Sequence, residues 1–153
     1  ILETHSNRKI FLDLPINRTK PPNNKYTMEE ILPILESHSN IKYFAISNVD
    51  TAKILKPFRE IVPDAITLVP KIESPTGVKN IQSITEILGS EKIVMLDHDD
   101  LYSSILRNNE SPDTFEEYIK TLVDFCKEND VILLRTIGVL FGDSEKRITR
   151  YVK

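Results

Sequence analysis

The run Ala65-Ile66-Thr67-Leu68-Val69-Pro70-Lys71-Ile72-Glu73-Ser74-Pro75 constrains the fold of this chain more than any other stretch. An apolar segment ends in a cation and a carboxylate two residues apart, and residues at that spacing on a strand point to the same side. Ser74 followed by Pro75 is an N-cap and first-turn pair, so the strand passes straight into a helix. Parallel sheets carry their active sites at the carboxyl ends of such strands. Lys71 and Glu73 are therefore candidate site residues; the alternative is an exposed ion pair at a strand end. Ile93-Val94-Met95-Leu96-Asp97-His98-Asp99-Asp100-Leu101 is a second apolar strand ending in acids.

Taken in order, the chain repeats this strand-then-helix unit. Ile10 to Leu14 is a short apolar strand, and Pro21-Pro22-Asn23-Asn24 then breaks the chain. Thr27 with Glu30 is a capping box opening a helix over Met28 to Ser39, with a kink expected at Pro33. Ile41 to Ser47 is the second strand and Asp50 to Val62 the second helix. Ala65 to Pro70 is the third strand, and its helix, Pro75 to Leu88, stops at Gly89. Lys92 to Leu96 is the fourth strand, followed by a short helix from Leu101 to Arg107. Ser111-Pro112 begins a helix lasting to about Glu128, and Val131 to Arg135 is the fifth strand. The tail from Asp143 to Lys153 is polar. Alternation of this kind predicts right-handed βαβ units and a parallel sheet. The four glycines form no phosphate-binding loop, which argues against a nucleotide-binding Rossmann domain.

At 153 residues the chain fits one domain, and 40% hydrophobic with 28% charged content is that of a folded, soluble protein. A net charge of -3 and a pI near 5.7 argue against a nucleic-acid or anionic-membrane binder. No apolar run approaches the roughly 20 residues that span a bilayer, and no signal peptide opens the chain. The single cysteine, Cys126, excludes an internal disulfide and suits a reducing, cytoplasmic setting. It reads as a core residue rather than a reactive thiol. A start at Ile1 without Met suggests a piece of something longer.

Lys71-Ile72-Glu73-Ser74-Pro75-Thr76-Gly77-Val78-Lys79-Asn80 resembles the Lys-Ile-Glu-Asn-x-x-Gly-Val-x-Asn segment of pyruvate kinase and, more broadly, the phosphoenolpyruvate/pyruvate-type barrels. Val94 to Leu101 is similar to that family's strand ending in Arg-Gly-Asp-Leu. Leu133-Leu134-Arg135-Thr136 falls where the family has a strand ending in Thr, and Phe11-Leu12-Asp13 with Arg18-Thr19 resembles its Leu-Asp and Arg-Thr stretch. The resemblance implies part of a (β/α)8 TIM barrel, about five of its eight units, because a whole barrel takes about 250 residues. Edge strands left open would invite self-association or packing against the remainder of a longer chain.

The resemblance also implies roles. Glu73 and Asp100 would hold a divalent cation, Mg²⁺ or Mn²⁺, with K⁺ as a further cation; Asp97 or Asp99 could take the place of Asp100. Lys71 would stabilise an enolate or a transferring phosphoryl group. Thr136 would hydrogen-bond near the methylene carbon or assist a proton relay, and Arg18 would meet a phosphate or carboxylate. Mg²⁺ takes oxygen ligands and leaves positions for substrate, and a 2-keto acid offers two oxygens as a chelate. The substrate would be phosphoenolpyruvate, pyruvate or another 2-keto acid, within a cytoplasmic, glycolytic kinase. Two departures weaken the nucleotide half of such a site. Only Lys20 to Lys25 stands where the kinase inserts a lid domain, and Asp97-His98-Asp99-Asp100 replaces Ala-Arg-Gly-Asp. A carbon–carbon lyase of the 2-keto-acid aldolase or citrate-lyase kind, which needs no lid, is the second expectation, although an apolar residue is usual there in place of Lys71. A degenerate, non-catalytic barrel module is the third.

Overall fold

A computed structural model describes residue 4 and residues 7–16 and 24–136. Arg18 and the polar tail lie outside the described residues. Five strands, β1 (Ile10–Leu14), β2 (Ile41–Ile46), β3 (Thr67–Ile72), β4 (Ile93–Leu96) and β5 (Ile132–Arg135), alternate with helices. These are α1 (Met28–Ser37), α2 (Ala52–Ile61), α3 (Pro75–Lys79), α4 (Ile81–Glu86), α5 (His98–Arg107) and α6 (Thr114–Glu128). The sheet order is β1-β2-β3-β4-β5 and every pairing is parallel.

Local chemistry explains most of the boundaries. The backbone N–H of Thr27 donates to the Glu30 carboxylate at 2.8 Å, which closes the capping box of α1. The third strand runs on to Ile72, beyond the end expected at Pro70. Pro70 has no N–H to give, and the β3–β4 ladder begins at the next residue, with Lys71 opposite Met95. The single helix expected over Pro75 to Leu88 is instead α3 and α4, divided at Asn80. Its side-chain amide donates to the Asp50 carbonyl at 2.8 Å, a local alternative that competes with continuing the helix. The fifth helix starts at His98, earlier than Leu101, because Asp97 caps it: its carboxylate accepts the Asp100 N–H at 3.3 Å.

The two faces of the sheet are covered differently. Buried residues of α1 to α6 join Leu14, Phe44, Ile46, Leu68, Ile72, Val94 and Leu96 in one core. The other face carries a small cluster made only of strand residues, Ala45, Val69 and Ile93, flanked by Tyr43, Met95 and Leu134. All the described helices therefore lie on one side, as sequential strand order with right-handed crossovers requires. At the two edges, Phe11 and Ile132 stay 40% and 51% exposed. Register puts both on the helix-free face, with Phe11 opposite Tyr43 and Ile132 opposite Ile93.

Candidate active site

Lys71 and Glu73 occupy the carboxyl end of β3 on the helix-free face. Both are buried, and the Lys71 ammonium lies 3.1 Å from a Glu73 carboxylate oxygen. It also lies 3.4 Å from Asp13 and 3.9 Å from Asp97. The strand-end pair expected from sequence is thus the centre of a wider cluster. Asp97 follows β4, and strand register puts it beside Glu73, since Ile72 pairs with Leu96. Asp100 lies in the first turn of α5.

The turn after β3 holds Glu73 in place. The Asn48 backbone N–H donates to its other carboxylate oxygen at 2.5 Å. Asn48 sits in the left-handed region at φ 53°, which asparagine tolerates better than most residues. Its side chain donates to the Ile16 carbonyl at 2.8 Å, tying the end of β2 to the segment after β1. Ser74 caps α3 by accepting the Gly77 N–H at 3.0 Å, and its hydroxyl donates to Asp50. Gly77 is required by close approach: a Cβ there would stand 2.9 Å from the Val49 carbonyl oxygen and 3.3 Å from the Ile72 side chain.

Burial opposes the charge on Lys71, but Glu73, Asp13 and Asp97 together outweigh it and hold its pKa above the ordinary lysine value. Burial pushes the Glu73 carboxyl up, against the pull of Lys71 and the Asn48 amide. The two directions agree physically, because one ammonium is shared among three carboxylates. Lysine stays charged, while no single acid receives its whole benefit.

Glu73, Asp97 and Asp100 each offer an oxygen, and these lie within 4.8 Å of one another. An all-oxygen set of carboxylates fits Mg²⁺ or Mn²⁺. With Asp13, the site gathers four carboxylates and one ammonium, three of the acids within 4 Å of it, an excess of negative charge that a divalent cation would offset. Asp97 therefore stands beside the expected Asp100 in the cluster rather than replacing it.

Thr136, just past β5, turns toward His98. Its hydroxyl oxygen accepts the His98 backbone N–H at 3.3 Å and lies 3.4 Å from the Leu96 carbonyl. His98 is fully buried against Phe115, and its Nε2 has no partner among the described residues. Burial, with Arg135 nearby, holds its pKa below the ordinary histidine value, as suits a core histidine. Cys126 is likewise buried, as expected. Sequence reasoning missed the site contacts of Asp13 and Asn48. Asp13 could have been found by alternation, since it lies near the end of β1 on the face that Lys71 shares. The Asn48 contact is made by a backbone N–H and leaves no trace in residue type.

No protein-family model matches the chain, and no curated protein matches it. Among solved structures, RipC from Yersinia pestis is similar, with a TM-score of 0.67 at 15% sequence identity. The likeness covers 95% of this chain and 65% of that one, and at this identity it establishes the fold alone. The resemblance to pyruvate kinase is corrected by these findings: RipC is a solved structure that matches over nearly the whole chain, and no family model supports the kinase. The matching motif is short, and much of it serves the turn itself. Ser74 and Pro75 start the helix and Gly77 admits the Val49 carbonyl, demands that other parallel strand-to-helix turns also make. No helix among the described residues is long and apolar enough to cross a membrane.

Proposed function

We propose that this chain carries the metal-binding end of a carbon–carbon lyase acting on 2-keto acids, of the 2-keto-acid aldolase or citrate-lyase kind. The observation that carries the reading is the meeting of Glu73, Asp97 and Asp100 within 4.8 Å at successive strand ends, with Lys71 held against them. A divalent cation bound there supplies charge neutralisation as a 2-keto acid becomes an enolate. Glu73, Asp97 and Asp100 would hold it. Lys71 adds a fixed positive charge beside the same oxygens. The Asn48 amide keeps Glu73 oriented, which saves reorganisation during the reaction. Cleavage of this kind uses no nucleotide, in keeping with the short segment between β1 and α1.

The sheet itself reads as an arc of a (β/α)8 barrel. Sequential strand order, the described helices all on one side and acids at the carboxyl ends support this. Further staves, from a longer chain or another copy, would then cover the Phe11 and Ile132 edges.

The test is incubation with 4-hydroxy-2-keto acids and Mg²⁺ or Mn²⁺, following pyruvate release. Release is expected to require the metal and to be lost in Glu73→Gln and Asp100→Asn. Oxalate, an enolate mimic, is expected to raise the melting temperature only when metal is present. Absence of both effects in the wild type would overturn the reading and favour a purely structural ion cluster.

A further inference from the structure

We infer that Asp13 carries the proton of the cleavage step; this rests on the lyase reading above. The acids of the site divide into two groups around Lys71. Glu73, Asp97 and Asp100 converge on one small volume, and acids spent on a cation cannot also move protons. Asp13 approaches Lys71 from β1, on the other side of β2, and its side chain is 45% exposed, against 2% for Glu73 and 18% for Asp97. It is the carboxylate that a substrate can reach.

Its distance also suits the chemistry. Asp13 and Glu73 touch the same ammonium at 3.4 and 3.1 Å, so they are separated by no more than those two contacts laid end to end. A 2-keto acid whose carboxylate and keto oxygens face the Glu73 side reaches past the Lys71 ammonium with C3 and C4, and these atoms then lie toward Asp13. The floor beneath the Lys71 side chain is made of small residues. Register places Ala45 between Asp13 and Val69, and alternation puts Ser47 on the same face. Ser47 is 1% exposed, and its hydroxyl has no partner among the described residues, an unmet hydrogen-bonding group between β1 and β3.

The step balances on Asp13 alone. Its carboxylate takes the proton of the C4 hydroxyl of a 4-hydroxy-2-keto acid. The C4–O bond becomes a carbonyl as the C3–C4 bond breaks, and the released electron pair forms the C2–C3 double bond of the enolate. The aldehyde leaves. Asp13 then returns the same proton to C3, giving pyruvate and restoring the carboxylate. No oxidant, reductant or co-reactant is consumed, and Lys71 stays protonated throughout.

The experiment compares wild type, Asp13→Asn and Asp13→Ala by Mn²⁺ titration, by the oxalate-induced melting shift and by pyruvate release. The first two readouts report the metal site and the third reports proton transfer. Both variants are expected to keep Mn²⁺ binding and the oxalate shift, and to lose about 10²–10⁴-fold in release, the range of one acid–base group. Formate and acetate are expected to restore part of the release in Asp13→Ala, where they can enter the vacated space, and the more basic acetate is expected to restore more per molecule bound, a Brønsted dependence that mere positioning of Lys71 would not produce. Wild-type release in Asp13→Asn, or a loss that formate and acetate leave untouched, would overturn the role of Asp13. A wild type without metal-dependent release would instead overturn the lyase reading, and this inference with it.

Discussion

The ammonium of Lys71 and the carboxylate of Asp13 meet at 3.4 Å from two strands that are not neighbours. They can do so because the residue between them on that face is Ala45, paired with Asp13 on one side and Val69 on the other. A longer side chain would fill the path that Lys71 takes. Ala45 is fully buried, so Ala45→Leu is expected to overpack the sheet at a cost of about 1–3 kcal/mol and to separate the pair. Denaturant midpoints check this; a variant as stable as wild type would show that the gap is not filled as described.

Gly77 and Gly89 form a matched comparison. Gly77→Ala drives a Cβ to 2.9 Å from a backbone oxygen, which cannot swing away as a flexible side chain can. A loss of about 1–3 kcal/mol is expected, with weaker metal binding as the Glu73 turn shifts. Gly89 has nothing within 4 Å of its Cβ position, and no described glycine has positive φ. Gly89→Ala is expected to be neutral or to stabilise by about 0.4–1 kcal/mol through the unfolded chain. Thermal melts of the two variants give the comparison, and equal effects would contradict it.

Asp97 serves both α5 and the carboxylate cluster, and substitutions separate the two duties. Asparagine caps helices about as well as aspartate, so Asp97→Asn is expected to keep stability while weakening Mn²⁺ binding. Asp97→Ala should lose the cap as well, at about 0.5–2 kcal/mol. Calorimetric Mn²⁺ titration beside denaturant melts distinguishes them. Unchanged Mn²⁺ affinity in Asp97→Asn would remove this residue from the site.

Burial pushes the Cys126 thiol up to about 11 from 9.0. The folded state then holds this proton more tightly than the unfolded state does. Its contribution to stability is therefore complete below pH 9.0 and is lost as pH rises through about 11. Iodoacetamide at pH 8 is expected to label the thiol slowly in the native protein and rapidly in denaturant. Fast native labelling would place Cys126 outside the core.

The exposed Phe11 and Ile132 lie at opposite edges of the sheet, on the face that no described helix covers. The 17.6 kDa chain is expected to self-associate in solution, and Phe11→Lys with Ile132→Lys should shift it toward monomer. Light scattering after size exclusion checks this. A monodisperse monomer of the wild type that unfolds cooperatively would argue for a self-sufficient open sheet and against the barrel arc.

Much of the fold was legible because local rules and the fold agree. Apolar runs separated by helical periodicity marked all five strands, and Ser74-Pro75 marked the start of α3 from residue type alone. Lys71 and Glu73 could be paired because alternation on one strand is a local property. The pyruvate kinase reading went astray at the same place. A short motif that satisfies a strand-to-helix turn reports the turn before it reports a family. The break at Asn80 and the cap at Asp97 depend on which hydrogen bond wins, and residue identity did not decide that contest.

The sequence by itself determined a parallel α/β chain with charge gathered at the strand ends, since hydrophobic period, caps and alternation act over a few residues. Only the tertiary structure decided which charges meet. Lys71 reaches Asp13 through register across β2, and the Asn48 backbone holds Glu73 through a turn in the left-handed region. Asp97 and Asp100 join Glu73 because β4 lies beside β3. Such contacts depend on strand order and on where backbone N–H groups point, and no spacing along the chain encodes either.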